Sequence, residues 1–115
     1  MPQITRHKAY VDVPIIEADI EGFDARRDNL IQAIEKELGP NDYKTNIHAR
    51  MTKWNMHDYE DFKWLSDQAL GLLWKYDRRG EGVWSCTSIW GAMYSKDETA
   101  IDHAHYPASW SGIVY

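Results

Sequence analysis

The sequence predicts an α+β fold, with two helices packed on an antiparallel sheet system toward the C-terminal end. Two stretches with apolar residues at helical spacing, about 23–38 and 58–76, come first. Strand-like sequence then runs from Val83 to Tyr115, and helices followed by a run of strands argue for this class. The 115 residues bound the answer to a single domain, 1–115. A chain of that size buries roughly 65% of its unfolded surface in one core.

Each element follows from local chemistry. Residues 4–16 end in Ala9-Tyr10-Val11-Asp12-Val13-Pro14-Ile15-Ile16, where β-branched and aromatic side chains predict a strand and Pro14 marks its end or an edge. Phe23, Leu30, Ile31, Ile34 and Leu38 trace the first helix, and Asp24 and Asp28 favour its start. Gly39-Pro40 ends it, because Gly tolerates a left-handed cap and Pro cannot continue a helix. After a turn at Asn41-Asp42, the chain alternates: Ile47, Ala49 and Met51 face one way, His48, Arg50 and Thr52 the other. That predicts a half-buried strand. Asp58 is the expected N-cap of the second helix, whose apolar stripe is Phe62, Leu65, Ala69, Leu72, Leu73 and Tyr76. Asp77-Arg78-Arg79-Gly80-Glu81-Gly82 breaks that helix. Val83 to Trp90 reads as a strand, followed by a charged turn at Ser95-Lys96-Asp97-Glu98 and further strands up to Tyr115.

Composition narrows the classes of partner. The apolar and charged fractions, 43% and 27%, are those of an ordinary globular protein, but six Trp and seven Tyr are many for this length. Such rings fill the space between layers or line concave ligand sites. The net charge is −5, and the basic residues cluster no further than Arg26-Arg27 and Arg78-Arg79. No electrostatic footprint for a phosphate backbone is present, so nucleic acid is not an expected partner. A single cysteine, Cys86, fits a reducing compartment. The start reads as no signal peptide, and no run approaches the roughly 18 apolar residues of a membrane span. The expectation is a cytoplasmic protein with no membrane partner.

The chemistry-bearing stretch is Asp102-His103-Ala104-His105-Tyr106-Pro107. On an extended strand alternate side chains share a face, so His103 and His105 can converge on one metal ion. The competing reading is two partly exposed histidines on a polar strand face. Asp102 points the opposite way by the same alternation and is expected in a turn or as a partner of a ligand. His48, His57 and His7 are expected at the surface, at a cap and in a frayed terminus. Cys86 is expected as a small core residue, and Trp54 and Trp90 as packing at a pocket wall.

The segment around those histidines resembles the 2-oxoglutarate/Fe(II)-dependent oxygenase family of cyanophages and marine bacteria. The residues that carry the likeness are Ser88-Ile89-Trp90, Lys96-Asp97-Glu98, His103-Ala104-His105 and Ser111-Gly112-Ile113-Val114-Tyr115. Upstream, the block from Thr45-Asn46 to Met51-Thr52-Lys53-Trp54 is similar to a second family block, so the likeness covers about residues 43–115. It implies an incomplete double-stranded β-helix, jelly-roll or cupin-like, behind the two helices. It implies Fe(II) held by His103 and His105, 2-oxoglutarate as cosubstrate contacted by Tyr94 and Tyr115, and hydroxylation of an unactivated C–H bond in an unidentified substrate. A third ligand, a histidine, and a basic residue for the distal carboxylate of 2-oxoglutarate are implied beyond Tyr115. At the second ligand position the neutral imidazole of His105, instead of the carboxylate of the common two-His-one-carboxylate triad, lowers the negative charge of the site by one. Two departures stand out: Asp97 replaces the Gly of the family's turn, and Gly91-Ala92 follow Trp90 where Asn is common. For a phage-encoded member, cytoplasmic means the host's cytoplasm. Two other readings stay open: a cupin-like module binding metal or a small ligand without turnover, and a phage interaction protein whose aromatics form an interface. A chain lacking the closing strands is also expected to be poorly soluble or to pair as a homodimer, and to bind metal weakly.

Overall fold

A computed structural model describes residues 3–40, 45–78 and 84–115. Helix α1 spans Phe23–Glu37 and helix α2 spans Glu60–Tyr76, where apolar spacing predicts them. The ends differ from expectation. Gly22, at φ 81°, precedes α1, and the Phe23 amide donates to the Ile20 carbonyl at 3.2 Å. At the other end Leu38 turns extended, and Gly39 takes no left-handed cap. The Gly39 amide instead donates to the Met51 carbonyl at 3.0 Å, tying the helix exit to a strand. Asp58 does not cap α2. It belongs to a 3-10 turn, Met56–Asp58, and its carboxylate accepts a hydrogen bond from the Asn55 side chain at 2.8 Å. Tyr59 takes the cap position.

Four short strands follow a single design. β1 (Ile47–His48) pairs antiparallel with β4 (Thr99–Ala100), and β2 (Arg50–Met51) with β3 (Ala92–Met93). His48 lies opposite Thr99 and Arg50 opposite Met93, so two steps on one side correspond to six on the other. The surplus is looped out at 94–98. There the Glu98 amide donates to the Ser95 carbonyl at 3.1 Å, and Asp97 stands at φ 67°. The pairing continues past the ladders: Thr52 to the Gly91 carbonyl at 2.9 Å, Ile89 to that of Trp54 at 2.9 Å, and Ile101 to that of Asn46 at 2.7 Å. Residues 46–52 and 91–101 thus form one bulged antiparallel ribbon, and beyond it Asn55 meets Ile89 in a parallel bridge.

The core is small. Leu30 of α1, Met56, and Phe62 and Leu65 of α2 are buried together, with Ile20, Phe23, Ile34, Trp64 and Ile89 packed around them. Thr52, expected on the solvent face of its strand, is buried: its hydroxyl accepts the Gly91 amide at 3.1 Å and donates to the Lys53 carbonyl at 2.8 Å. The α2 stripe is covered at Phe62 and Leu65, half-covered at Leu72 and Leu73, and open at Ala69 and Tyr76.

Three predicted strands take other forms. Residues 3–19 form no helix or ladder among the described residues and are exposed throughout, with Pro14 lining an open cleft beside Tyr76, Asp77, Arg78 and Trp110. Alternation and β-propensity suit a strand but do not supply its partner. The predicted strand 83–90 joins the rest through one bridge, Asn55 with Ile89, and Val83 lies outside the described residues. Residues 101–115 carry turns and bends but no ladder. The described sheets are two two-stranded ladders. The turn expected at Asn41-Asp42 lies outside the described residues. No helix among the described residues is long and apolar enough to cross a membrane.

Candidate functional site

The ribbon positions the histidines through its last paired residue. The Ile101 amide is held by the Asn46 carbonyl, and the Ile101 carbonyl faces the other way, 2.5 Å from His103 Nδ1. A carbonyl can only accept, so Nδ1 donates in this contact and Nε2 is the His103 nitrogen left to meet an ion. A turn follows the pair, closed by the Ala108 amide on the His105 carbonyl at 2.7 Å. The two ring centroids are 4.7 Å apart with planes at 62°.

Two tryptophans extend this pair into a ladder of rings. Trp90 stacks against His105, centroids 6.3 Å apart at 26°, and Trp54 tilts against Trp90 at 6.3 Å. The Asn55–Ile89 bridge sets these indoles side by side. Trp54 is more than half exposed, so it serves as a surface ring as well as packing. The sequence signal for this was the position of both residues beside predicted strand ends.

The donor set meets part of what a metal needs. With metal–nitrogen bonds of about 2.1 Å, two imidazoles at roughly a right angle on one ion have centroids about 4.6 Å apart. The observed spacing agrees, and a backbone carbonyl fixing the tautomer of a ligand is the usual supporting contact. Imidazole suits Fe, Zn, Cu and Ni alike, so the donors alone do not select iron. Among the described residues no group of three His, Cys, Asp or Glu side chains could hold an ion. Both histidines are exposed, where the strand reading aims them inward between sheets.

The remaining expected residues lie apart from the pair. Tyr94 is half exposed in the looped-out turn and Tyr115 fully exposed; neither makes a hydrogen bond or ring contact among the described residues. Asp102 is exposed. His48 sits half-buried in β1. His57, expected at a cap or surface, has its Nδ1 buried without a hydrogen-bond partner. His7 is exposed, and Cys86 is half-buried, its thiol 3.4 Å from the Ser88 carbonyl. An open cleft of about 520 Å³ lies elsewhere, between Pro14, Tyr76, Asp77, Arg78 and Trp110, and neither His103 nor His105 lines it.

Asp77 is the residue that sequence reasoning passed over, as part of a helix-breaking run. It is buried, its carboxylate accepts the Trp110 indole N–H at 2.9 Å, and its carbonyl accepts that of Trp84 at 2.9 Å. Comparison of the chain with family models, curated proteins and solved structures finds no match in any of the three.

Proposed function

We propose that this chain supplies the two-histidine half of the metal centre of an Fe(II)- and 2-oxoglutarate-dependent oxygenase, with the ribbon as the first part of a jelly-roll-like fold. The observation that carries the reading is the ring contact of His103 and His105, centroids 4.7 Å apart, with His103 Nδ1 donating to the Ile101 carbonyl. The family and the choice of iron rest on the sequence resemblance. Local backbone supports that resemblance: Asp97, standing where the family has Gly, adopts the positive φ that a Gly there would serve.

Bound iron would supply a redox centre and template for 2-oxoglutarate and dioxygen. The chain's own residues do the positioning. The Ile101 carbonyl accepts from His103 Nδ1 and leaves Nε2 to meet an ion; the face of Trp90 restricts rotation of the His105 ring. Tyr94 and Tyr115 are assigned to the cosubstrate, and the third ligand and the basic residue to sequence outside 1–115. In a form that includes those groups, 2-oxoglutarate is converted to succinate in an iron-dependent manner. His103→Ala abolishes that conversion and Asp102→Asn retains it. Succinate formation surviving the loss of His103 refutes the assignment.

The exposure of both histidines favours a second reading, a metal- or small-ligand-binding module without turnover. It predicts metal binding lost with His103→Ala, and no succinate in any form of the protein.

A further inference from the structure

Four rings run in sequence from the histidine pair to solvent. His103 meets His105 at 4.7 Å, His105 lies against the face of Trp90 at 6.3 Å and 26°, and Trp90 meets Trp54 at 6.3 Å and 43°. Each spacing is that of rings in contact. The chemistry changes along the line. The first two rings are imidazoles, which resist loss of one electron; the last two are indoles, which with phenols give one up most readily. Trp54, at the outer end, is more than half exposed, and its N–H meets no acceptor among the described residues. Electron transfer falls steeply with distance, so contact decides which ring can serve the pair. Tyr106 is bonded directly to His105 and is also oxidisable, yet it makes no ring contact among the described residues. Trp74 of α2 contacts Arg78 instead.

We propose that Trp90 and Trp54 form an electron path from solvent to an ion held by His103 and His105, and that it lets the chain reduce a hydroperoxide. The proposal rests on the metal-binding half of the reading above, and not on iron, 2-oxoglutarate or hydroxylation. Imidazole donors accept copper as well as iron. Hydrogen peroxide meeting the ion breaks its O–O bond and takes up two electrons. The ion gives one and rises by one charge; Trp54 gives the other through Trp90. The Trp54 N–H bond releases its proton, a second proton comes from solvent, and both oxygen atoms leave as water. A neutral indolyl radical remains on Trp54, where a one-electron donor of the ascorbate class returns a hydrogen atom. A second equivalent of that donor brings the ion back to its lower charge. Without this path the second electron comes from the imidazoles themselves, so the two indoles protect the ligands.

The chain loaded with one equivalent of Cu(I) under argon and mixed with one equivalent of hydrogen peroxide tests this. Electron paramagnetic resonance of frozen samples is expected to show an indolyl radical, and peptide mass spectrometry to place added oxygen on Trp54. Trp90→Phe lowers oxidation of Trp54 at least tenfold and moves it to His103 and His105. Trp54→Phe, a change at the surface, removes the lasting radical while Trp90 still covers His105. Trp74→Phe changes neither result. Ethanol, which scavenges free hydroxyl radical, leaves the pattern as it is. Oxidation of Trp54 that is indifferent to Trp90→Phe, suppressed by ethanol, or replaced by oxidation of Tyr106 overturns the path. Where Trp90→Phe loses copper, Trp54→Phe decides alone, and a radical that persists in it overturns the path. Copper held equally by the double variant His103→Ala, His105→Ala overturns the metal reading and the path together; copper held by the pair with no oxidation at Trp54 overturns the path only.

Discussion

Asp97 and Gly91 sit where the backbone leaves least choice. Asp97 holds a positive φ that a side chain tolerates poorly, so Asp97→Gly is expected to raise stability by about 0.5–1 kcal/mol in urea unfolding. A Cβ on Gly91 overlaps the side chain of Ile34, lying 2.7 Å from its Cδ1 and closer still to Cγ1, an atom one bond from the β-branch with little room to yield. Gly91→Ala should therefore cost about 1–3 kcal/mol, and less when combined with Ile34→Ala than the two single losses suggest. Tyr59 carries a pH dependence. Its hydroxyl donates to the Glu37 carboxylate, which together with burial and the charges of Glu37 and Asp58 pushes its pKa above the usual 10.0. The stability this bond contributes is complete below the unfolded pKa and is lost as pH rises through the raised folded value. Glu37→Gln should lower the tyrosinate titration of Tyr59, followed by ultraviolet absorbance. Of these residues the sequence made Asp97 visible through its place in a turn, and Gly91 only as a departure from the family's pattern. The demand on Gly91 comes from a helix distant in the chain, and the bond of Tyr59 joins the end of α1 to the start of α2.

The helices were legible because apolar spacing is a local signal, whereas their ends were not, the exit of α1 being set by the Met51 carbonyl distant in the chain. Strand sequence reports only a tendency to extend; the partner decides whether a ladder forms. Residues 46–52 found one because Thr52 and Gly91 exchange hydrogen bonds in the interior, whereas residues 4–16 did not. The burial of Thr52 shows the same override: its polar side chain is drawn inward by an amide that needs an acceptor. Thr52→Val leaves the buried Gly91 amide without its hydroxyl partner and is expected to cost about 1–3 kcal/mol. At the end of α2, Asp77 fastens the segment carrying Trp110 to the helix. Trp110→Phe removes that hydrogen bond while keeping most of the ring contact with Tyr76, and should cost about 1–2 kcal/mol by urea unfolding.

For the whole molecule, two helices and one bulged ribbon enclose a core of a few side chains, and more apolar surface stays outside than a compact chain leaves there. Composition foretold the aromatic content but not its placement, since Trp54, Trp90 and His105 meet only once the ribbon has formed. The histidine pair was legible as a motif. Its setting was not: the segment leaves the strand after Ile101 and both rings stay exposed, where an inward-facing strand was expected.

The central claim is that His103 and His105 bind one ion together. Pulsed electron paramagnetic resonance of Cu(II) bound to the chain counts the coordinated imidazoles directly. The account predicts two in the wild type, one in each of His103→Ala and His105→Ala, and no ion retained at this site in the double variant. Equal Cu(II) coordination in the wild type and the double variant would contradict it.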